Sequence, residues 1–242
     1  MKKRIKKILR RLVYGMKADN QAFINGLRKK GIKIGDNVKF YDPQSCTIDV
    51  TRPYILEIGN NVHITTGVTI LTHGYDWAVM HGKYGSILGS AGRVKIGNNV
   101  FIGVYTTILK GVTIADNVII GANSLVNKDL LVEGVYAGNP AKFIMSLDDY
   151  KAKREALQLD EAYMLYESYR NNGTEPEMIV FREFFRLFCD SKTAAAFPEF
   201  KNVMDLNNNY EQTAQELDSN DRPFKDYNEF TEYCKKRYSA KK

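Results

Sequence analysis

Isoleucine or valine recurs at every sixth residue from Ile96 to Val132, and this repeat constrains the fold more than any other feature. Its positions are Ile96, Ile102, Ile108, Ile114, Ile120, Val126 and Val132. Apolar residues recur with a period of about 3.6 in a helix and about two in a strand, so neither element explains the spacing. A fixed repeat of this kind predicts a solenoid, in which each repeat stacks on its neighbours.

A six-residue repeat fits a chain that forms one short strand and one turn per hexad. Three hexads then make one triangular coil, and the coils stack at the usual strand spacing of about 4.8 Å. Asparagine and glycine tolerate the backbone angles of tight corners, and Asn60–Asn61, Asn98–Asn99 and Asp116–Asn117 fall where corners are expected. A β-sandwich is the alternative, but its strands are longer and less evenly spaced.

Three segments and a closing sequence resemble the hexapeptide-repeat acyltransferases, in particular the galactoside, maltose and xenobiotic O-acetyltransferase branch. The segments are 96–103 (IGNNVFIG), 108–114 (ILKGVTI) and 119–129 (IIGANSLVNKD), and 137–142 (AGNPAK) is similar to the sequence that closes those β-helices. The resemblance covers 31–147. It implies a left-handed parallel β-helix, a homotrimer and acetyl-CoA as the acetyl donor. The handedness comes from the resemblance alone, because parallel crossovers are otherwise almost always right-handed.

The cysteines and the hydropathy of the chain indicate the cellular compartment in which it is expected to lie. The three cysteines, Cys46, Cys189 and Cys234, are far apart and form no CxxC pair, which argues against a disulfide framework or a structural zinc site and favours a reducing cytoplasm. No apolar run is long enough for a transmembrane helix, and the basic N-terminus lacks the apolar core of a secretory signal. We therefore expect a cytoplasmic protein with no metal.

The chain is expected to have three parts: a basic segment at 1–30, the β-helix at 31–147 and a helical extension at 148–242. The net charge of +7 comes from the first part, which holds eleven Lys or Arg and one acidic residue. Its apolar residues have helical spacing, so an amphipathic helix is expected over 1–15. That helix either packs on the protein or lies peripherally on an anionic membrane. No aromatic interleaving or recognised fold supports nucleic-acid binding.

The repeat stops after Pro140, and 148–170, 176–190 and 226–238 are expected to be helical. Phe181, Phe184, Phe185 and Phe188 form an aromatic stripe, which predicts a core, with an acceptor-recognition surface as the alternative. This extension is longer than the tail usual in sugar acetyltransferases.

An excursion from Leu71 to Lys95 interrupts the repeat, and repeat proteins place function at such interruptions. It contains two of the three histidines and the only tryptophan. Acyl transfer to a hydroxyl requires a base, and histidine suits that role near neutral pH. The sequence at 70–73 (ILTH) is similar to the point where the family carries its catalytic histidine, so the resemblance implies His73 as general base. His63 lies on an outward position of a coil, where a surface location is expected.

The coils after the excursion are the expected donor platform. The resemblance implies that acetyl-CoA contacts Phe101, Gly103, Val104, Ala122, Asn127, Lys128 and Lys142. The backbone N–H near Val104 would polarise the thioester carbonyl. Lys142 replaces an arginine near the 3′-phosphate and lacks its bidentate guanidinium, and a further basic position is Met145 here. Solvated surface is the alternative for both lysines.

The acceptor candidates lie in the excursion and in one earlier loop. They are Asp49, Tyr75, Asp76, Trp77, His81 and Tyr84, with Arg52 beside Asp49. Aromatic faces stack on sugar rings, and a carboxylate can hold hydroxyls. Asp76 could instead orient His73, which the sequence leaves open.

The sequence thus predicts an acetyl-CoA-dependent O-acetyltransferase acting on a saccharide. N-acetylation of an amino sugar or nucleotide sugar and a non-catalytic β-helix scaffold are the alternatives. A γ-type carbonic anhydrase is disfavoured, because the spacing of the histidines does not reproduce its zinc site.

Overall fold

A computed structural model describes residues 9–219 and 222–240. The chain divides into two compact units, Met1–Tyr150 and Lys151–Lys242. The first holds the repeat, and the second is helical. No helix within 9–219 and 222–240 is long and apolar enough to cross a bilayer.

The repeat forms three sheets that the chain visits in rotation, which makes a three-sided parallel β-helix. Sheet A contains β1 (Lys33–Ile34), β4 (Leu56–Ile58), β9 (Val94–Ile96) and β12 (Thr113–Ile114). Sheet B contains β2 (Lys39–Phe40), β5 (Val62–Ile64), β10 (Val100–Ile102), β13 (Val118–Ile120), β15 (Gly134–Ala137) and β16 (Lys142–Met145). Sheet C contains β3 (Thr47–Ile48), β6 (Thr69–Ile70), β11 (Thr107–Ile108) and β14 (Leu125–Val126).

The predicted repeat residues form stacked rows inside the coil. In sheet A, for example, Ile58 pairs with Ile96 and Ile96 with Ile114, and all three are buried. Each fully buried isoleucine contributes about 1.5–3 kcal/mol relative to leaving it exposed. These rows are the core of the first unit.

The last repeat position, Val132, is an exception to the predicted pattern. Val132 is 62% exposed, and Leu130 and Tyr136 take the inward positions instead. Leu130 bridges Ile114 and Tyr136 pairs with Ile120, so the last coil is shorter than the one before it. Because this corner is shorter, the residues that follow it move to different places within the hexad, and Val132 no longer faces the core. The sequence expectation for Val132 was therefore wrong.

The corners that lead from sheet A to sheet B have the asparagines expected from the sequence. Asn37, Asn61, Asn99 and Asn117 all have φ between 53° and 59°, in the left-handed region that asparagine tolerates. Their amides also bond along the stack, from Asn37 to Asn61 at 2.9 Å and from Asn99 to Asn117 at 2.8 Å.

Each end of the β-helix is closed by a different element. At the first coil, helix α1 (Asn20–Lys30) supplies Arg28, whose Nη2 donates to the carbonyl oxygens of Ile34 at 2.9 Å and Gly35 at 2.6 Å. Lys17 donates to the carbonyl of Cys46 at 2.8 Å. At the last coil, β16 runs antiparallel to β15, which ends the parallel order of sheet B.

Only part of the expected N-terminal helix can be described, because residues 1–8 lie outside the described residues. Residues 9–14 are helical, and a 3₁₀ turn spans Gly15–Ala18. Met16 packs against the β-helix core. Leu12 and Val13, by contrast, are 77% and 72% exposed.

The second unit is built from helices around an aromatic core. A long helix, Leu147–Asn171, enters it and is followed by Ser191–Ala195, Pro198–Met204, Tyr210–Ser219 and Tyr227–Ser239. The helix expected over 176–190 consists of two 3₁₀ turns, Met178–Phe181 and Phe185–Leu187. Phe181, Phe185 and Phe188 are buried, and Phe184 packs against them. The prediction that this aromatic stripe forms a core is therefore confirmed.

Candidate active site

The excursion is a hairpin that carries one helix. Strands β7 (His73–Gly74) and β8 (Ser90–Ala91) pair antiparallel, and helix α2 (Trp77–Tyr84) lies between them. The hairpin base is hydrogen-bonded to the coils through Leu71, whose N–H donates to the Ile108 carbonyl at 3.0 Å. The two sides of the base are joined by the Gly92 N–H, which donates to the Thr72 carbonyl at 3.0 Å. His73 thus lies on a short strand directly above the coil.

His73 forms a close pair with Asp49. Its Nδ1 is 2.5 Å from Asp49 Oδ2, and the side chains are 15% and 3% exposed. Asp49 directly follows β3 and His73 lies just beyond β6, the next strand in sheet C. Adjacent coils therefore bring together two residues that are far apart in sequence.

The Asp49 carboxylate receives four further hydrogen bonds. Thr51 donates its N–H and its hydroxyl to Oδ1 at 2.9 and 2.7 Å. Thr72 donates its N–H and its hydroxyl to Oδ2 at 3.0 and 2.5 Å. Burial acts to raise the pKa of Asp49, but the hydrogen bonds from Thr72, Thr51 and His73 outweigh it and hold the pKa well below its ordinary value. Asp49 is therefore ionised at neutral pH and accepts the Nδ1–H of His73.

The sequence assigned Asp49 to the acceptor and left Asp76 as the possible partner of His73. The structure pairs Asp49 with His73, while Asp76 is exposed and forms no hydrogen bond with His73 among the described residues. The stacking of Ile48 on Ile70 is the signal that could have indicated this. Using this signal requires knowing which hexads lie on neighbouring coils, and the irregular corner hides that relation in the sequence.

Two of the aromatic residues predicted to bind the acceptor, Tyr75 and Trp77, form a series of ring contacts that begins at His73. The rings of His73 and Tyr75 meet edge to face with centroids 5.3 Å apart, and Tyr75 and Trp77 are 5.9 Å apart. Tyr75 is 70% exposed, so one face of this aromatic group is open. His81 and Tyr84 are exposed on α2 and form no hydrogen bond or ring contact with His73 among the described residues. Arg52 is exposed next to Thr51.

The donor candidates lie on the outer side of the β-helix and at its corners. Phe101 and Val104 are 41% and 37% exposed. Gly103 is buried against the next coil, where an added Cβ would lie 2.6 Å from the Ala122 nitrogen. Ala122, Asn127, Lys128 and Lys142 are exposed. The N–H of Val104 has no hydrogen-bond partner in the described part of the chain, so it is free to donate.

The surface position expected for His63 is wrong. His63 is 7% exposed, its Nδ1 is 2.9 Å from the Tyr41 hydroxyl, and the Tyr41 ring stacks on it. His63 points outward from β5, but Tyr41 covers it. Within the described residues, no group of three or more His, Cys, Asp or Glu side chains gathers as a metal site would require.

A three-sided parallel β-helix of six-residue repeats is the architecture expected of the class of hexapeptide-repeat transferases. The family described as bacterial transferase hexapeptide (six repeats) matches residues 93–128. Protein CapG of Staphylococcus aureus is 39% identical over 127 residues, which are 52% of this chain and 73% of CapG. The chain belongs to the hexapeptide-repeat transferase family.

Two further relatives are acetyltransferases. Galactoside O-acetyltransferase of Escherichia coli (strain K12) is 39% identical over 118 residues, 49% of this chain and 55% of that protein. A solved structure of a galactoside acetyltransferase in complex with coenzyme A is 28% identical, and the match covers 61% of this chain and 83% of that chain, with a TM-score of 0.45. The predicted enzyme class, acyltransferase, is confirmed. The chain spans only about half the length of the Escherichia coli relative.

Proposed function

We propose that this protein transfers the acetyl group of acetyl-CoA to a hydroxyl group of a saccharide, with His73 as the general base. The Asp49–His73 pair is the observation that carries the proposal. An ionised Asp49 accepts the Nδ1–H of His73, which leaves Nε2 unprotonated and able to accept the proton of the attacking hydroxyl. An ordered and nearly buried pair of this kind also favours an enzyme over a non-catalytic scaffold.

Asp49 acts as a positioning residue. It fixes the tautomer and the ring orientation of His73, and its charge stabilises the imidazolium that forms when the hydroxyl proton is transferred. Because Thr51 and Thr72 hold the carboxylate from both sides, the pair needs little reorganisation during the reaction. The aromatic faces of Tyr75 and Trp77 then provide a surface on which a sugar ring can stack beside Nε2.

The donor is acetyl-CoA, bound along coils that we infer to be left-handed, as in the family. The free N–H of Val104 is the proposed hydrogen-bond donor to the thioester carbonyl, where negative charge develops in the transition state. The Phe101 side chain and the closely packed backbone of Gly103 and Ala122 provide an apolar wall for the pantetheine arm. Lys128 and Lys142 provide positive charge for the phosphates. Asn127 completes the donor contacts.

We infer that the working form is a homotrimer with the site between adjacent subunits. The excursion exposes six large apolar side chains, a concentration that favours a protein–protein contact. These side chains are Tyr75, Val79, Met80, Tyr84, Ile87 and Leu88. A second copy that covers them would also exclude water from Nε2 of His73.

The N-terminal helix supports a further proposal, peripheral contact with an anionic membrane through residues 1–15. Leu9, Leu12 and Val13 lie on one helical face and are exposed rather than packed on the protein. The same segment is strongly basic. Apolar insertion combined with basic side chains is what binds such helices to anionic lipid.

A thiol-release assay with acetyl-CoA and a panel of sugars and nucleotide sugars tests the enzymatic proposal. His73→Ala should lower kcat by roughly 10²–10⁴. His73→Asn is the sharper variant, because its amide can still donate to Asp49 but has no base at the Nε2 position. Lys95→Ala, at an exposed position of β9, is the matched control and should retain activity. Full activity of both His73 variants would remove the histidine from this role. Thiol release with an amino sugar but not with its N-acetylated counterpart would indicate N-acetylation rather than O-acetylation.

A further inference from the structure

The corner that follows β10 contains a tyrosine in a backbone conformation that suits it poorly. Tyr105 lies in a hydrogen-bonded turn, in which the Thr106 N–H donates to the Gly103 carbonyl at 3.2 Å. Its φ is +57°, in the left-handed region that is costly for a bulky side chain. Among the described residues, every other residue with positive φ is asparagine or glycine. Strain of this kind is typical of functional positions, so the tyrosine calls for a functional explanation.

The Tyr105 ring lies on the corner of the preceding coil. The Tyr105 N–H donates to the Thr66 carbonyl at 2.9 Å, so the two corners stack on each other. Gly67, which follows Thr66, has no side chain, and a Cβ added there would overlap the Tyr105 ring at Cδ1 and Cε1. The ring therefore occupies the space that a side chain at position 67 would need. Tyr105 is nevertheless 60% exposed, so most of the ring is open to a ligand.

This ring lies next to the place proposed for the thioester of the donor. Val104, whose free N–H is the proposed partner of the thioester carbonyl, directly precedes Tyr105. The Asn123 N–H donates to the Val104 carbonyl at 2.7 Å, so the Val104 corner lies between the corner of the next coil and that of Gly67. The pantetheine and phosphate contacts proposed on the later coils lie on the Asn123 side. The acyl carbons beyond the thioester carbonyl therefore point toward Gly67, where the ring lies.

We propose that the Tyr105 ring limits the length of the acyl group, so that the donor site accepts acetyl and rejects longer acyl chains. This inference rests on the proposed function, because it assumes that the thioester carbonyl lies at the Val104 N–H. The methyl group of acetyl ends before the ring, whereas the additional carbons of a butyryl group would need the space that the ring fills. Hydrogen bonds to both neighbouring coils hold the backbone of this corner in place, which fixes the origin of the side chain.

Binding of acetyl-CoA and butyryl-CoA to the full chain, measured by isothermal titration calorimetry, tests the inference without any acceptor. We expect the wild type to bind acetyl-CoA about tenfold or more tightly than butyryl-CoA, as exclusion of additional methylene groups provides. Tyr105→Gly removes the ring and suits the positive φ, so the ratio of the two Kd values should fall to about one. In the thiol-release assay, the ratio of the two kcat/KM values should change in the same direction.

Three variants separate the ring from the fold. Tyr105→Phe keeps the ring and should retain the selectivity. Tyr105→Asn introduces the residue that the next coil has at Asn123, so it should lose the selectivity and unfold at the same or a higher urea concentration than the wild type. Tyr54→Asn is the matched control, because Tyr54 is also exposed and a Cβ added to Gly31 would lie 2.6 Å from its Cε1. It should bind both acyl-CoA compounds as the wild type does.

An unchanged Kd ratio in Tyr105→Gly would overturn the inference, as would a wild type that binds acetyl-CoA and butyryl-CoA equally well. A Tyr105→Asn variant that keeps the selectivity but unfolds at a lower urea concentration would also overturn it and would show that the ring serves the packing of the corner. Failure of acetyl transfer gives a different result, namely selective binding of acetyl-CoA with no release of CoA thiol to any acceptor. If neither acyl-CoA binds, the proposed donor and the inference are both wrong.

Discussion

Replacing Asp49 by asparagine tests the proposed site most directly, because the amide keeps the shape of the carboxylate but changes its hydrogen bonding. The carboxylate accepts two bonds on Oδ1, from Thr51, and three on Oδ2, from Thr72 and His73. An amide has one accepting oxygen, so its NH₂ group must face one of the two backbone N–H groups. Thr72 is fully buried and Thr51 is exposed, so the oxygen should remain on the Thr72 side, where no water can replace it.

With the oxygen on that side, His73 keeps its tautomer but loses the negative charge that stabilises its imidazolium form. Hydrogen bonds to charged groups contribute about 1.5–3 kcal/mol and neutral ones about half as much. The difference is about 0.75–1.5 kcal/mol, and we therefore expect Asp49→Asn to lower kcat by roughly 4- to 13-fold, since each 1.4 kcal/mol changes a rate about tenfold. The unsatisfied Thr51 contact is solvent-exposed, so the free energy of unfolding should fall by only about 1 kcal/mol.

The assay is acetyl-CoA-dependent thiol release, with urea denaturation as the stability measurement. Asp76→Asn is the comparison variant, because Asp76 is the other carboxylate close to His73 in sequence, and it should affect the acceptor KM rather than kcat. An unchanged kcat for Asp49→Asn together with a large loss for Asp76→Asn would refute the reasoning and reassign the partner of His73.

The low pKa of Asp49 makes a prediction with a definite sign. The folded-state pKa lies below the unfolded value of 3.8, so the ionised carboxylate stabilises the fold above that pH. The contribution is lost as the pH falls below about 4 toward the folded-state pKa. The difference in unfolding free energy between wild type and Asp49→Asn should therefore shrink at pH 3 relative to pH 7. A constant difference would show that the carboxylate is not held ionised by its hydrogen bonds.

Three other predictions address assembly, membrane contact and the donor side. Light scattering should give a trimer, and a monomer would remove the shared-site proposal. Leu12→Asn with Val13→Asn should reduce pelleting with anionic vesicles, with neutral vesicles as control, and intact protein that does not pellet would end the membrane proposal. Gly103→Ala should lower the free energy of unfolding by about 1–3 kcal/mol, because its Cβ would meet the Ala122 nitrogen. Gly82→Ala, whose Cβ meets no atom within 4 Å, is the matched control for this substitution.

The sequence predicted the coil because each hexad makes the same local choice. Ile96, Ile102 and Ile108 each face the core, and asparagine forms the corners, so one repeat predicts the next. The slip at Val132 could not be predicted, because nothing local distinguishes it from the six aliphatic residues before it. Only the pairing of Tyr136 with Ile120 shows that the last coil is shorter.

The candidate site was only partly predictable, because it also depends on which coils are neighbours. The interruption of the repeat pointed to both His73 and His81, and the resemblance of 70–73 to the family favoured His73. Its partner Asp49 comes from the previous coil of the same face, and the loop between β3 and β4 hides that relation in the sequence.

The two ends of the coil have a consequence for how copies of this protein can associate. A stack of parallel strands offers unpaired peptide groups at both ends, and a second copy could in principle continue it into a fibre. Here the guanidinium of Arg28 occupies the carbonyls at one end, and the reversed direction of β16 breaks the register of sheet B at the other. Both features oppose end-to-end growth of the coil, which favours side-by-side association of copies, as in the proposed trimer.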